Sequence, residues 1–554
     1  MNENTVKTLL DLIVQSDAEY GDSPALSYVN EKPWTYHEVY RSACQLALTL
    51  REMGIKRGDR IALLSESNPY WGISYFAGVI AGAVMVPILP DFHENEILTI
   101  LDHSEASILL ISEKSAKKID SKKIKQTTLK TQDVILRCKE PIEIELPEID
   151  ENDLLCIIYT SGTTGSSKGV MLTHKNVILN AYTACKIPRW ADETRALSVL
   201  PLAHTYEFTI GFIVILVMHG SIYYMKRPPS TSVLIPALNK VKPHIMLSVP
   251  LLIEKIHDGI MKTKINNKKL LKFLYKIPLV RKKLNKVIGK GLMETFGNNL
   301  HFFGVGGAPL VKETEKFLRE ANFPFSIGYG ITETSPLLAG GMGDMISFAS
   351  TGSVLPNVEY ELRKSEESGT GKELFVKGPT IMQGYYKDPE KTAEVLSEDG
   401  WFRTGDLGEI AEDGSLRIIG RAKNMILGST GENIYPDQIE ALINQEEFVV
   451  ESLVLQDVKT KSLIARVHID YDMFKESLKE GRIMREFHNL ENKLRNKGDE
   501  VSLDDQITQF LNDLITRVNK ELSSFSRISE TLEQKEPFER TPTLKIKRYL
   551  YEVE

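Results

Sequence analysis

From residue 35 the chain alternates between two hydrophobic periods. Apolar positions between Thr35 and Met53 recur at helical spacing, and Thr35 is placed to cap that helix. The turn Lys56-Arg57-Gly58-Asp59 leads into Arg60-Ile61-Ala62-Leu63-Leu64, a short apolar run that reads as a strand. A second helix and strand pair runs to Pro87, and Ser107-Ile108-Leu109-Leu110-Ile111 reads as a further strand. Strands separated by helix-length segments predict parallel α/β sheets.

Two apolar stretches need a membrane check. Tyr75 to Pro90 contains glycines and two prolines, and Ile210 to Met218 is short. Both fall below the roughly 20 residues that span a bilayer, so buried helix or strand is expected in each.

Two segments have a different texture. Between Lys262 and Met293 there is no acidic residue, while lysines are dense. Lys268, Lys272 and Lys276 share one helix face, and Leu270, Phe273, Leu274 and Ile277 form the other. Such a run reads first as a solvated helix face. The alternative is peripheral membrane contact, or docking of an acidic carrier, through residues 262–291. Residues 471–526 are highly charged and mostly helical in pattern, as in a helical insertion.

Chemistry concentrates in Tyr159-Thr160-Ser161-Gly162-Thr163-Thr164-Gly165-Ser166-Ser167-Lys168-Gly169, which follows the apolar run Leu154 to Ile158. Glycines let successive N–H groups turn inward as an anion-binding nest, and hydroxyls add donors. Lys168 supplies a point charge suited to phosphate. The spacing is not that of a Walker loop, because two serines separate Gly165 from Lys168.

The chain has 554 residues, which predicts at least two domains. A net charge of −7 gives no global nucleic-acid signal. Cys44, Cys138, Cys156 and Cys185 lie far apart, with neither metal spacing nor a disulfide framework. With the polar start Met1-Asn2-Glu3-Asn4, they lead us to expect a cytoplasmic protein, peripheral at the inner membrane surface if the lysine-rich segment lands there.

Five more segments stand out, beginning with Leu200-Pro201-Leu202-Ala203-His204-Thr205-Tyr206-Glu207-Phe208 and Gly304-Val305-Gly306-Gly307-Ala308-Pro309. Gly328-Tyr329-Gly330-Ile331-Thr332-Glu333-Thr334 and Trp401-Phe402-Arg403-Thr404-Gly405-Asp406-Leu407-Gly408 follow. The fifth runs from Gly420-Arg421-Ala422-Lys423-Asn424 to Gly431-Glu432-Asn433-Ile434-Tyr435-Pro436. With the phosphate loop and the terminal Thr541-Pro542-Thr543-Leu544-Lys545-Ile546-Lys547-Arg548, their order and spacing resemble the adenylate-forming superfamily of acyl-CoA synthetases, peptide-synthetase adenylation domains and luciferases.

The resemblance implies an α/β fold. A large N-terminal domain, residues 1–421, would hold stacked α/β sheets and a β-rich subdomain. A small mobile α+β C-terminal domain, residues 422–554, would carry the 471–526 helices.

It also implies roles. The loop Thr160, Ser161, Gly162, Thr163, Thr164, Gly165 and Lys168 would hold the phosphates of ATP. Tyr329, between two glycines that include Gly330, would lie flat on the adenine, with Gly307, Ala308 and Pro309 as the opposite wall. Glu333 resembles the Mg2+ carboxylate, since that ion prefers oxygen, and Thr332 would offer its hydroxyl to phosphate. Asp406 would accept from both ribose hydroxyls, and Arg421 would add a fixed cation. Lys545 and Lys547 share a face of an extended segment, so spacing does not separate them. The family motif aligns on Lys545 as the catalytic cation. Lys423 falls at the hinge between domains, and Gly431 and Glu432 would face the pantetheine channel of CoA. Leu544 and Asn424 depart from the family's usual glycine and acid.

Within the superfamily, the segment after Pro201 and Val249-Pro250-Leu251-Leu252-Ile253-Glu254-Lys255-Ile256 are similar to long-chain fatty-acid–CoA ligases. His204, also a candidate catalytic residue, and Phe208 would then lie near the mouth of an acyl tunnel. The implied reaction joins a fatty acid to CoA through acyl-AMP. Three alternatives remain at this level: an acyl carrier protein as acceptor, an oxygenase using acyl-AMP, or a non-catalytic binding protein for fatty acid or acyl-adenylate.

Overall fold

The computed structural model describes residues 5–160, 167–188, 190–191, 193–364, 371–427, 432–457, 460–479, 502–541 and 546–551. The helix expected after Thr35 spans Tyr36–Glu52. The Thr35 hydroxyl accepts from the Glu38 N–H and the Glu38 carboxylate accepts from the Thr35 N–H, so two of the orphan donors at the helix start are satisfied. The strands Arg60–Leu64, Val84–Ile88 and Ile108–Ile111 form where the apolar runs stand and pair in parallel.

The stretch around Tyr75 becomes the helix Pro69–Ala81, capped by Asn68 and closed by a left-handed Gly82. Nearly every side chain in it is buried, which accounts for an apolar run with no amphipathic stripe. The second stretch also forms a buried helix. Its first part, Glu207–Ile213, has π geometry, and Val214–Val217 continues it as α-helix. Among the described residues, no helix is long and apolar enough to cross a membrane.

Two large sheets carry the bulk of the chain. One has nine strands, with Phe325–Gly330, Phe302–Val305, Ile245–Ser248, Arg195–Ser198 and Ser221–Tyr224 in successive parallel pairing. The other has seven strands and ends in the order Val84–Ile88, Leu154–Thr160, Lys168–Thr173, Gly384–Tyr385. A four-stranded antiparallel sheet contains Phe402–Ile410 beside Leu416–Arg421. Helices Tyr36–Glu52, Pro69–Ala81 and His174–Ala184 pack between the large sheets in one continuous apolar core.

A separate core joins Ile434, Phe448, Val467, Phe510 and Leu514. Its three-stranded sheet pairs Leu463–Ile469 with Ile528–Glu533 in parallel. Parallel neighbours need a long crossover, and the helices Tyr471–Lys479 and Leu503–Val518 lie within it. Phe474, Ile507, Phe510 and Leu514 fill that core. Residues 480–501, which carry many of the charges of the 471–526 region, lie outside the described residues; the inner faces of the two described helices build the core.

Candidate active site

Three sheets deliver side chains to one place. Lys168 opens the strand Lys168–Thr173, and its backbone pairs with Thr160 at the end of the preceding strand. The expected strand before the loop is present, and a second antiparallel strand, not a helix, follows it. Ser161, Gly162, Thr163, Thr164 and Gly165 lie outside the described residues. The Lys168 ammonium sits 4.8 Å above the ring of Tyr385, on the neighbouring edge strand.

The Tyr385 hydroxyl donates to Oε1 of Glu333 at 2.9 Å. Burial raises this phenol far above its ordinary range, so it remains a donor at any working pH. Thr332 and Glu333 occupy a single 3₁₀ turn, both partly exposed. The turn is fixed from behind. Asn180 donates its amide to the carbonyls of Thr334 and Leu337, and the Met382 N–H donates to the Glu333 carbonyl. Asn176 holds the carbonyls of Pro379 and Ile381 in the same way. Glu333 thus presents a rigidly placed carboxylate.

Tyr329 is the penultimate residue of the strand Phe325–Gly330. A Cβ on Gly330 would lie 1.8 Å from the Pro336 carbonyl oxygen, so only glycine permits this crossing. The Tyr329 hydroxyl donates to Oδ2 of Asp406 at 2.6 Å. On the other side, Nε of Arg421 lies 2.7 Å from Oδ1 of the same carboxylate. Asp406 and Arg421 face each other across adjacent strands, so sheet register sets this pair. Asp406 is buried, and each of its oxygens keeps a second lone pair for a further donor. Contacts therefore run without a break from Lys168 through Tyr385 to Glu333, and from Tyr329 through Asp406 to Arg421.

Gly307, Ala308 and Pro309 form an exposed loop after Phe302–Val305, and Gly307 takes φ of +88°. Lys423 is exposed in the 3₁₀ turn Ala422–Asn424, which joins the four-stranded sheet to the residues that follow. Glu432 precedes the short strand Asn433–Ile434. Gly431 and Lys545 lie outside the described residues. Lys547 is engaged elsewhere, its ammonium 3.8 Å from the Glu539 carboxylate. Arg548 is held by Asp437 and Glu440.

The helix after His204 separates two groups of side chains. Tyr206, Ile210 and Val214, at i, i+4 and i+8, line an apolar cavity with Ile187, Phe302 and Gly328. Its room for solvent-sized centres is small, about 30 Å³, so the lining side chains are nearly closed on one another. Phe208 points to another face of the helix. It is fully buried among Trp71, Tyr75 and Phe212, with ring centroids 4.7 Å apart from Tyr75. Phe208 therefore does not border this cavity, because two residues along the helix carry the side chain to the opposite side. His204 stands at the start of this helix, where Nδ1 accepts from the Tyr206 N–H at 3.2 Å. Sequence reading passed over Tyr385 and the cavity triplet. The triplet was visible as helical spacing; Tyr385 gave no local signal.

A family model described as AMP-binding enzyme matches residues 14–386, more than half of the chain. The chain belongs to the AMP-binding enzyme family. Among curated relatives, long chain acyl-CoA synthetase 4 of Arabidopsis thaliana is 28% identical over 501 residues, covering 79% of this chain and 75% of that one. Fatty acyl-CoA synthetase A of Dictyostelium discoideum is 29% identical over 490 residues, covering 78% and 72%. The fold matches O-succinylbenzoate CoA synthetase of Bacillus subtilis, solved with its acyl-adenylate intermediate, with a TM-score of 0.76 at 20% identity, covering 98% of each chain. Lys168, Tyr329, Glu333 and Tyr385 fall inside the matched range, whereas Asp406, Arg421, Lys423 and Lys545 follow it.

Proposed function

We propose that this AMP-binding enzyme activates a medium- or long-chain fatty acid as acyl-AMP and transfers the acyl group to CoA. The observation that carries the fatty-acid assignment is the apolar cavity beside Tyr206, which reaches Gly328, one residue before Tyr329. Its lining is apolar, as an acyl chain requires, and with about 30 Å³ of room the side chains around it would part as the chain enters. The long-chain acyl-CoA synthetases among the relatives support the same reading.

In this reading a carboxylate oxygen of the acid attacks the α-phosphorus of ATP, and pyrophosphate leaves with the bridging electron pair. The acyl-AMP carbonyl is then attacked by the CoA thiol, and AMP departs as the thioester forms. Lys168 and the loop from Thr160 bind phosphate. Tyr329 stacks on the adenine, and Asp406 accepts from the ribose. Glu333 and the Thr332 hydroxyl suit a hard cation, and Mg2+ bound there would neutralise charge on the phosphates. Lys545 stabilises negative charge that builds during adenylation. Division of the chain at 421/422, with rotation about Lys423, would exchange Lys545 for Gly431 and Glu432 at the site between the two half-reactions.

An acyl carrier protein is the second acceptor to test. The deciding assay measures pyrophosphate release and thioester formation from acetate, laurate, palmitate and an aryl acid. Each acid is paired in turn with CoA, with carrier protein and with no acceptor, and with oxygen removed in parallel. Laurate or palmitate should exceed acetate by a large factor, with CoA as the acceptor. Preference for acetate or the aryl acid would overturn the fatty-acid assignment and leave the adenylation chemistry standing.

A further inference from the structure

The lysine-rich segment is folded but only half covered. It forms the helix Lys269–Tyr275 and, after a bend at Ile277, the helix Pro278–Thr295. Leu274 and Tyr275 turn partly inward. Leu270, Phe273 and Leu279 do not: they are 69%, 66% and 76% exposed. Ile277 and Val287 are exposed as well. An isolated exposed leucine needs no explanation, but five large apolar side chains are exposed within eighteen residues of two consecutive helices.

The charge around these side chains has a single sign. Ten lysines lie between Lys262 and Lys290, with no acidic residue among them. Arg281 is neutralised by Glu320 at 2.8 Å, and none of the ten lysines has a carboxylate partner among the described residues. On the longer helix, Leu279, Lys282, Lys283, Lys286 and Val287 fall on one outward side, so cations flank the apolar tips.

We propose that this helix pair docks the enzyme on an anionic lipid surface. Leu270, Phe273, Ile277 and Leu279 would enter the headgroup and acyl boundary, and the lysines would meet lipid phosphates. Charge complementarity selects an anionic partner. The projecting apolar tips select a bilayer, which accepts them without a matching cavity, over a folded acidic protein, which would need one. None of its residues is among those assigned to the ligase site, and docking does not depend on which acid is activated.

The test is co-sedimentation of the full chain with phosphatidylcholine vesicles, with and without phosphatidylglycerol, at low and high salt. The protein should bind only the anionic vesicles, and salt should weaken binding. The combined Lys269→Glu, Lys272→Glu and Lys276→Glu variant should bind more than about tenfold less well. Leu270→Ser with Phe273→Ser should also weaken binding, by removing the part that enters the bilayer. Both variants change exposed side chains only, so melting temperature and adenylation of a soluble medium-chain acid should match the parent and exclude misfolding. Equal binding to neutral vesicles, unchanged binding by both variants, or no vesicle binding at all would overturn the proposal. Capture of an acidic acyl carrier protein without vesicle binding would assign the surface to that partner instead.

Discussion

The hydroxyl of Tyr385 donates to Glu333 at 2.9 Å, while the same ring lies 4.8 Å beneath the Lys168 ammonium. One tyrosine thus touches both the carboxylate suited to Mg2+ and the lysine suited to phosphate. Tyr385→Phe separates these contacts, because it keeps the ring and removes the hydroxyl. A hydrogen bond to a charged group contributes about 1.5–3 kcal/mol, so adenylation should fall roughly 10- to 150-fold. Measured against Mg2+ concentration, the half-saturation point should rise. Thioester formation from supplied acyl-AMP should hold. An unchanged Mg2+ curve would remove Tyr385 from the site.

Tyr329→Phe tests the opposite end of the site. The ring can still stack, but Asp406 loses its 2.6 Å donor and keeps Arg421. Ribose would then meet a carboxylate held from one side only. The KM for ATP should rise about tenfold, matching the loss of roughly 1.4 kcal/mol, with a smaller change in kcat. Tyr329→Ala should weaken ATP further. If the two variants behave alike, stacking contributes nothing and the adenine assignment fails.

Lys545→Ala and Lys423→Pro should divide the reaction in opposite ways. Losing one electrostatic stabiliser costs about 3–4 kcal/mol, so Lys545→Ala should slow acyl-AMP formation by roughly 100- to 1000-fold. Its use of supplied acyl-AMP should survive. Proline at 423 fixes φ near roughly −65° and would restrict a turn that the proposed rotation needs in two states. If the trapped pose is the adenylating one, pyrophosphate exchange persists while thioester output falls. Parallel loss of both half-reactions in either variant would contradict the role given to that residue.

The alternating pattern made the fold legible for a local reason. Thr35, Asn68 and the apolar strands act through neighbours in sequence, so cap, period and strand could be read directly. The segments that hold Lys168, Tyr329 and Asp406 stood out as ordered motifs. Tyr385 did not, since its partners Glu333 and Lys168 come from other parts of the chain. Phe208 shows a different limit. Its segment also carries Tyr206, which lines the apolar cavity that Phe208 does not reach, because a motif does not say which face of a helix each side chain takes.

Glu207 supplies a pH test within the same helix. It is fully buried, with Oε1 bonded to the Ser198 hydroxyl, and burial pushes its carboxyl up to about 8. Its unfolded value is close to 4.5. The folded state therefore binds more protons than the unfolded state between these two values. The contribution to stability is full below the lower value and is lost as pH rises through the upper one. His174, lowered by burial to about 4, acts in the opposite direction at the acidic end. Comparing parent with Glu207→Gln cancels that term. The parent should lose stability relative to the variant between about pH 5 and 8. Parallel melting curves across that range would show that Glu207 does not titrate as described.

Chain-length preference should be set by Ile210, which faces the cavity between Tyr206 and Val214. Ile210→Trp adds bulk inside that space and should shift the optimum toward shorter acids. Each buried methylene is worth about 0.8 kcal/mol, so excluding four of them would cost palmitate roughly 3 kcal/mol relative to laurate. Some of this is offset because a shorter chain loses less freedom on binding. The KM for ATP should stay near the parent value, since Tyr329 and Asp406 are untouched. Phe208→Ala provides the contrast: it opens a hole in the Trp71, Tyr75 and Phe212 cluster and should cost about 3–5 kcal/mol of stability. Its chain-length profile should change less than that of Ile210→Trp. Turnover of laurate and palmitate by the two variants decides the matter. If Phe208→Ala moves the profile and Ile210→Trp leaves it alone, the acyl chain does not occupy the cavity beside Tyr206.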